Sequence, residues 1–348
     1  MGEAVLRSMA IRRSRLQARS RLEDVARHAG VSKMTVVRVL REAHKVAPAT
    51  QARVAAALDA TKYSPDLVAR ALVSRRSGVV GAIVPTLSNS LIADVVQGMS
   101  EELELDGRQL MVGASGFSAT AEEALVRSFL SRRVDALYLT GTSHTSATSR
   151  LLASAGVPVV EGGNIPSNPI DLVVGVSNVD AAASVVAHLI GRYGRSIAFA
   201  GGSPVDNDRM RDRRTGYELA LRRSGLRAPP AFKVEVPISM GGGREALGRF
   251  LALPNRPRAM FCATDVIAAG AIQECLRRGL RLPDDIAIAG YDDLDIAREL
   301  SPALTTVRVP RYEIGRQAAR LFQLSLTGRR PRQAVLDLGY ELVVRESA

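Results

Sequence analysis

The sequence predicts a small all-α module at the N-terminus, followed by a larger α/β body. Positive charge is concentrated before residue 78, because residues 1–77 hold 16 Lys and Arg against 6 Asp and Glu, whereas the remaining 271 residues hold 31 against 29. The hydrophobic pattern changes at the same place, from helical spacing to short apolar runs that alternate with amphipathic stretches. A basic module on a nearly neutral body indicates contact with a polyanion, most naturally nucleic acid, with a solvated basic tail as the alternative.

Residues 1–19 carry five arginines but lack the continuous apolar core of a signal peptide. We expect a disordered basic extension there, with translation beginning at Met1 or at Met9. The two cysteines, Cys262 and Cys275, are isolated and suit neither a disulfide framework nor a metal site, which favours a reducing cytoplasm. The longest apolar runs are short and flanked by charges, so we expect no membrane span, and also no metal and no cofactor.

Residues 20–63 show the spacing of three short helices. Ser20 and Glu23 fit a capping box, and the apolar stripe that follows predicts a first helix over 21–28. Gly30 is expected to end this helix, because a left-handed corner favours glycine.

A second helix is predicted over 33–40, with Ser32 as its N-cap and Val36, Val39 and Leu40 on its inner face. Pro48 is a favourable first residue for a third helix. Two short helices joined by a turn that contains glycine form a helix-turn-helix, and a plain three-helix scaffold with solvated cations is the alternative.

The N-terminal part of the second helix carries the candidate DNA-binding residues. In a helix-turn-helix these positions face base edges in the major groove. Lys33 and Arg38 can donate to guanine O6 and N7, and Met34 can make apolar contact with a thymine methyl. Ser32 and Thr35 lie at the helix N-terminus, where hydroxyl and amide groups can hold phosphates. Residues 64–77 follow as a short segment that folds on its partner or serves as a linker.

The body, residues 78–348, alternates predicted strands with predicted helices. The strands are expected at 79–84, 109–114, 136–140, 157–161, 172–176, 196–201, 232–236, 259–263, 286–291 and 305–309. Amphipathic helices are expected between most of them, for example at 91–106, 120–131, 179–192 and 265–278. Such alternation predicts parallel sheets covered on both faces, and a body of this length predicts two Rossmann-like lobes.

Polar residues at the carboxyl ends of the strands are candidates for a ligand site, because doubly wound sheets bind ligands there. They are Thr86, Ser88, Asn89 and Ser90 after the first strand, Thr140, Thr142, Ser143, His144 and Thr145 after the third, and Glu161 after the fourth.

Four motifs carry a resemblance to a known family. LEDVARHAGVSKMTVVRVL (22–40), YSPDLVARAL (63–72), GYDD (290–293) and LTTVR (304–308) together resemble the lac repressor family of bacterial transcription regulators. PTLSN (85–89), LTGTSHT (139–145), LPDDIAIAGY (282–291) and LDLG (336–339) are most similar to gluconate-operon repressors.

This resemblance implies a periplasmic-binding-protein-like body, with three crossovers and a ligand cleft between two lobes. It also implies that residues 64–77 form a hinge helix on specific DNA, where Leu72 wedges into the minor groove and Ala69 sits against the partner's hinge helix. The expected assembly is a homodimer on a pseudo-palindromic double-stranded operator, since two recognition helices need two half-sites. The chain ends soon after LVVRES, so we expect no tetramer held by a C-terminal helix.

The family's effector contacts, carried over position by position, fall on Leu91 or Ile92, Thr140, Glu161 or its neighbours, Arg213, Thr264 and Asp292. A guanidinium grips a carboxylate with two parallel hydrogen bonds, so Arg213 with hydroxyl-rich loops suits a sugar or sugar-acid effector, gluconate among them. Which of Arg209, Arg211, Arg213 and Arg214 faces the cleft stays open.

Several candidates have a structural interpretation as well. Asp265 is expected to cap the helix that follows it, Asp292 either binds sugar hydroxyls or holds the loop around Tyr291, and His144 is either structural or a ligand contact.

The leading hypothesis is therefore a sequence-specific DNA-binding regulator, in most such proteins a repressor, whose operator affinity a small effector changes. A solute-binding protein of a transport system is the alternative. An enzyme is disfavoured, because no GxGxxG opens a helix after the first strand and no nucleophile–base pair stands out.

Overall fold

The computed structural model describes residues 20–63, 76–88, 90–205, 207–329 and 331–348. The chain divides into two compact units, Met1–Ser77 and Gly78–Ala348. The predicted extension at 1–19 and nearly all of the predicted hinge at 64–77 lie outside the described residues. No helix in the described ranges is both long and apolar enough to cross a membrane.

The first unit contains three α-helices, as predicted. They are α1 (Leu22–Ala29), α2 (Lys33–Glu42) and α3 (Pro48–Thr61), with a short 3₁₀ turn at Ala43–Lys45. Their shared core consists of Val25, Ala26, Ala29, Val36, Val54 and Ala57. Gly30 ends α1 in the left-handed conformation, with φ of 61°, which confirms the predicted corner.

Two local predictions for this unit were wrong. The first helix begins one residue later than expected, so Arg21 is its N-cap and Asp24, not Glu23, accepts the Arg21 backbone N–H at 2.9 Å. Leu40 was expected on the inner face of α2 but is 37% exposed, because the small three-helix core is already filled by Val36 and its neighbours.

The second unit contains a six-stranded parallel sheet in its first lobe. Its strands are β1 (Val79–Val84), β2 (Gln109–Ala114), β3 (Ala136–Thr140), β4 (Val159–Gly162), β5 (Leu172–Gly175) and β11 (Val335–Asp337), in the order β11-β5-β4-β3-β1-β2. The helices that accompany it are α4 (Ser90–Glu104), α5 (Ala119–Ser131), α6 (Ser146–Ser154) and α12 (Arg311–Leu326). Buried apolar strands such as β1 and β5 are typical of a sheet covered on both faces.

The second lobe has a four-stranded parallel sheet in the order β7-β6-β8-β9. The strands are β6 (Ile197–Gly201), β7 (Lys233–Glu235), β8 (Ala259–Cys262) and β9 (Ala287–Ala289). Its helices are α7 (Asn178–Tyr193), α8 (Asp208–Arg223), α9 (Met240–Leu251), α10 (Asp265–Arg277) and α11 (Asp295–Glu299). A separate antiparallel pair joins β10 (Thr306–Arg308) to β12 (Glu341–Val343).

The chain crosses between the lobes three times, as the family resemblance implies. It leaves the first lobe after β5, returns to it through α12 and β11, and leaves again to form β12. All ten predicted strands are present, although several are shorter at their ends than expected. β11 and β12 are not among these ten strands. β12 overlaps the strand-like LVVRES segment, and β11 adds to the first sheet beside β5, a pairing that the local sequence does not show.

Two glycines allow α4 and α12 to pack closely in the first lobe. A Cβ at Gly98 would collide with the carbonyl oxygen of Tyr312, and a Cβ at Gly315 would collide with the carbonyl oxygen of Val95. Both obstacles are backbone atoms, so neither can rotate away.

We expect Gly315→Ala to destabilise the second unit by about 1–3 kcal/mol, because the added methyl forces two packed helices apart. Urea denaturation measures the change. Gly191→Ala is the matched control, because Gly191 is a helical glycine in α7 with nothing near its added Cβ. That substitution should instead stabilise the chain by about 0.5–1 kcal/mol. Equal effects of the two substitutions would contradict the proposed close packing.

Candidate functional site

The N-terminus of α2 presents an exposed polar surface. Ser32 caps the helix, as predicted, and its Oγ accepts the Thr35 backbone N–H at 3.1 Å. Lys33, Met34 and Arg38 are all exposed, and Met34 is 70% exposed. A methionine so exposed has no role in the core of this unit, so these side chains are available to a partner.

Lys33 is held by an acidic neighbour in this structure. Its Nζ pairs with the Glu23 carboxylate of α1, and the bond from Lys33 lowers the pKa of Glu23. Both side chains are about half exposed, and an exposed ion pair of this kind contributes little stability. Lys33 can therefore exchange Glu23 for another acceptor at little cost. Ala69 and Leu72, the two predicted hinge contacts, lie outside the described residues.

A cleft of about 330 Å³ separates the lobes of the second unit. It is lined by Pro85, Thr86, Ser88, Ser90, Leu91, Ile92 and Phe117 of the first lobe and by Asn207, Arg209, Met210, Arg213, Ile238, Thr264, Val266 and Asp292 of the second. Many of these residues follow the carboxyl ends of β1, β2, β6, β8 and β9, where doubly wound sheets bind ligands.

Of the effector contacts carried over from the family, both alternatives Leu91 and Ile92 line this cleft, together with Arg213, Thr264 and Asp292. The strand-end candidates Thr86, Ser88 and Ser90 line it as well. Asn89 lies outside the described residues. Thr140, His144 and Glu161 are not among the lining residues. Glu161 is fully buried in the first lobe, where its Oε2 accepts the Ile170 backbone N–H at 2.7 Å.

Arg213 is buried, and each of its three nitrogen atoms donates a hydrogen bond. Its Nε donates to Asn178 Oδ1 at 3.0 Å, its Nη1 to the Ala263 carbonyl at 2.7 Å, and its Nη2 to Asp292 Oδ1 at 3.1 Å. The guanidinium also lies over the Tyr291 ring, 3.7 Å from its centroid. A guanidinium carries five N–H groups, and three of them are used in these bonds.

Asp292, which forms an ion pair with Arg213, has a strained backbone. Its φ of 115° is unusual for a residue with a Cβ, and its carboxyl group is fully buried. Burial raises the pKa of Asp292, and the charge of Arg213 opposes that rise. Asp292 therefore holds the loop around Tyr291 and also lines the cleft, while its binding to sugar hydroxyls stays a prediction.

The predicted cap of α10 was wrong. Thr264 is the N-cap, with its Oγ1 accepting the Ile267 backbone N–H at 3.4 Å, and Asp265 is the first helical residue. Asp265 instead accepts hydrogen bonds from Thr306 Oγ1 and the Leu294 backbone, and burial raises its pKa to about 7.

Four arginines lie near the start of α8, and two of them face the cleft while the other two do not. Arg209 and Arg213 line the cleft, whereas Arg211 reaches Ser143 and Arg214 reaches Glu218 and Glu235 on the surface. Sequence reasoning named Arg209 only as a neighbour of Arg213, and it missed Phe117, although Phe117 also follows a strand at its carboxyl end.

Hydrogen bonds that Asp208 accepts, at the start of α8, join the two lobes. Its Oδ2 accepts the Thr142 backbone N–H at 2.9 Å, the Thr142 hydroxyl at 2.8 Å and Asn164 Nδ2 at 3.0 Å. Asn164 in turn accepts a bond from Asn178, which also binds Arg213. The cleft and the lobe junction therefore share one hydrogen-bond network.

Comparison with known families identifies both units. Residues 21–66 match the model of bacterial regulatory proteins of the lacI family, and residues 186–348 match a periplasmic binding protein-like domain. The transcriptional regulator GntR of Escherichia coli K12 is 35% identical over 321 residues, which cover 92% of this chain and 96% of that protein. The chain belongs to the lacI family of bacterial regulatory proteins.

Other lacI-family proteins are similar to this chain over nearly its full length. GntR of Pseudomonas aeruginosa is 32% identical, with 96% of this chain and 97% of that protein covered. A lacI-family regulator from Silicibacter pomeroyi superposes with a TM-score of 0.85 at 30% identity, covering 94% of this chain and 99% of that one. The lac repressor dimer bound to operator and the anti-inducer ONPF also gives a TM-score of 0.85, at 25% identity, covering 95% of this chain and 99% of that one. These relatives are transcription regulators, so the solute-transport alternative is not supported.

A buried charge cluster of His144, Glu122 and Glu161 stabilises the first lobe. His144 Nδ1 lies 2.7 Å from Glu122 Oε1, and its Nε2 lies 3.5 Å from Glu161 Oε1. Burial lowers the pKa of His144, but the hydrogen bond to Glu122 and the nearby Glu161 carboxylate outweigh that effect and raise the pKa to about 9. His144 follows β3 closely, so the cluster fixes the loop that presents Thr142 to Asp208.

We expect His144→Gln to destabilise the chain in a pH-dependent manner. The folded pKa of about 9 exceeds the usual 6.5, so the charged imidazole stabilises the fold fully below pH 6.5 and loses this effect as pH rises through 9. The stability gap between wild type and His144→Gln should shrink by on the order of 3 kcal/mol across this range. Urea denaturation at pH 6, 8 and 10 measures it, and a constant gap would contradict the ion cluster.

We expect Arg213→Met to destabilise the second unit by about 3–5 kcal/mol, because Asp292 would be left buried without its cation. Adding Asp292→Asn should recover part of this loss, as a double-mutant cycle in guanidinium chloride would show. Arg214→Met is the matched control, because Arg214 is a partly exposed arginine of the same helix whose ion pairs lie at the surface, and its loss should cost less than about 1 kcal/mol. Additive effects of Arg213→Met and Asp292→Asn would exclude the coupling.

Proposed function

We propose that this chain is a repressor that binds a pseudo-palindromic DNA operator as a homodimer and releases it when a sugar acid binds the cleft. One observation carries this proposal. The chain combines an exposed recognition helix with a cleft whose buried arginine belongs to the network joining the lobes.

The DNA contacts are proposed from the exposed face of α2. Arg38 donates to guanine and Met34 contacts a thymine methyl, while Ser32 and Thr35 place hydroxyl groups beside the phosphates. Lys33 joins them once its ion pair with Glu23 is exchanged for DNA. The hinge contacts of Ala69 and Leu72, and the bending they imply, remain predictions from the family resemblance.

The effector is proposed from the chemistry of the cleft wall. Arg213 donates three hydrogen bonds to Asn178, Ala263 and Asp292, and its guanidinium carries five N–H groups in all. Thr86, Ser88 and Ser90 add hydroxyl groups on the opposite lobe. A volume of about 330 Å³ is at the lower end of the usual range for small-molecule sites. A short polyhydroxy acid such as gluconate fits this combination, in keeping with the likeness to GntR proteins.

Effector binding reaches the lobe junction through shared side chains. A ligand that contacts Arg213 also perturbs Asn178, which bonds to Asn164, and Asn164 bonds to Asp208. A ligand changes the lobe arrangement only if it binds two arrangements unequally. A sugar acid that contacts both walls satisfies this condition, because its contacts depend on the separation of the lobes.

The proposal is tested by fluorescence anisotropy of a pseudo-palindromic, CG-centred duplex at fixed salt, with and without gluconate. We expect tight binding that gluconate weakens, and Arg38→Ala should cost about 1–3 kcal/mol on this duplex. Arg223→Ala is the matched control, because it removes an equally exposed arginine from α8 of the second unit.

Each failure has a separate meaning. Equal affinity for a scrambled duplex would exclude sequence-specific binding. Tight specific binding that ignores gluconate would discard gluconate and retain the regulator, and other sugar acids would then be titrated.

A further inference from the structure

A strained turn carries an aromatic side chain into the cleft. Residues 115–118 form a turn closed by a hydrogen bond from the Ser118 N–H to the Ser115 carbonyl at 3.1 Å. Both central residues have positive φ, 63° at Gly116 and 59° at Phe117. This is the pattern of a type I′ turn, whose central positions are dominated by Gly, Asn and Asp. A bulky side chain in the left-handed region is a strained choice.

The turn is fixed on both sides, so Phe117 cannot relax by moving the backbone. The Ser115 and Gly116 N–H groups donate to the carbonyls of Val84 and Pro85, each at 2.9 Å. Ser118 caps α5 through a bond from the Ala121 N–H to its Oγ at 3.2 Å. The strain is therefore built into the junction of β2 and α5.

Packing in the core does not account for this strain. Phe117 is 39% exposed, whereas the aromatic side chains of the core are nearly inaccessible. It lines the cleft, and it is the one aromatic residue among the cleft-lining residues that the structure describes. The opposite lobe contributes Arg209, Arg213 and Asp292. The first-lobe wall thus combines one aromatic ring with the hydroxyl groups of Thr86, Ser88 and Ser90, and the charged side chains lie on the opposite wall.

We propose that Phe117 is a specificity-determining residue that packs its ring against the C–H face of the effector. This inference rests on the proposed effector site. An aromatic face carries partial negative charge, and the C–H groups of a carbohydrate carry partial positive charge, so the two attract. The preferred effector therefore has two distinct sides: hydroxyl and carboxylate groups towards Arg213 and Asp292, and a continuous C–H face towards Phe117.

The test compares Phe117→Gly with Phe117→Tyr in the full-length protein. Isothermal titration with gluconate, glucuronate and glucose measures binding, and the midpoint of thermal unfolding measures stability. Phe117→Gly should weaken binding of the preferred probe about tenfold, because it removes the aromatic contact. Phe117→Tyr keeps the ring and should bind within about twofold of the wild type. The unfolding midpoint of Phe117→Gly should be unchanged or raised, because the strain is relieved.

Arg133→Gly is the matched control. Arg133 also has a left-handed backbone, with φ of 57°, and it is an exposed first-lobe residue outside the cleft lining. Its replacement should leave binding unchanged.

Three results would overturn the inference. Unaltered binding by Phe117→Gly would exclude the ring as a ligand contact and leave the effector site standing. A fall of more than about 4 °C in the unfolding midpoint of Phe117→Gly would make Phe117 a packing residue. Binding of none of the three probes by the wild type would remove the proposed sugar-type effector site, and this inference with it.

Discussion

The second unit depends on one buried charge. Arg213 is reached from three separate parts of the chain, namely the start of α7 at Asn178, the end of β8 at Ala263 and the loop after β9 at Asp292. An unpaired buried guanidinium would be very unfavourable, so these parts must come together before the charge is compensated. The requirement fixes the cleft wall, and the strained backbone of Asp292 is maintained by the bonds around it.

The same side-chain type serves opposite purposes in the two units. Arg38 is exposed on a helix, where its charge is available for a polyanion. Arg213 is buried and paired with Asp292, so its charge holds the cleft wall together. The uneven charge of the sequence reflects this difference, because cations in the body are largely balanced by acids and those before residue 78 are not.

The local hydrophobic pattern of the sequence predicts much of the fold, but it does not predict most of the residues that line the cleft. Apolar runs bounded by polar residues located ten strands, and Gly30 and Ser32 located the corner of the helix-turn-helix. Leu91, Thr264 and Asp292 were found through the resemblance and Arg213 through its chemistry as well, and all four line the cleft.

Glu161 was expected near a ligand because it ends a strand, yet it is buried, since a carboxylate beside a protonated histidine is stable inside the lobe. Phe117 follows the carboxyl end of β2, but only polar residues at strand ends were considered as candidates, and the left-handed turn that directs its ring into the cleft is visible only in the backbone.

The three crossovers have a consequence for biosynthesis. The helix-turn-helix is complete within one continuous segment that ends at Thr61, so it can fold as soon as it leaves the ribosome. The first lobe, by contrast, lacks its edge strand β11 and the packing of α12 until the last part of the chain has been made. The nascent protein therefore carries a DNA-contacting unit before it has a finished cleft, and regulation by a ligand becomes available only when translation is nearly over.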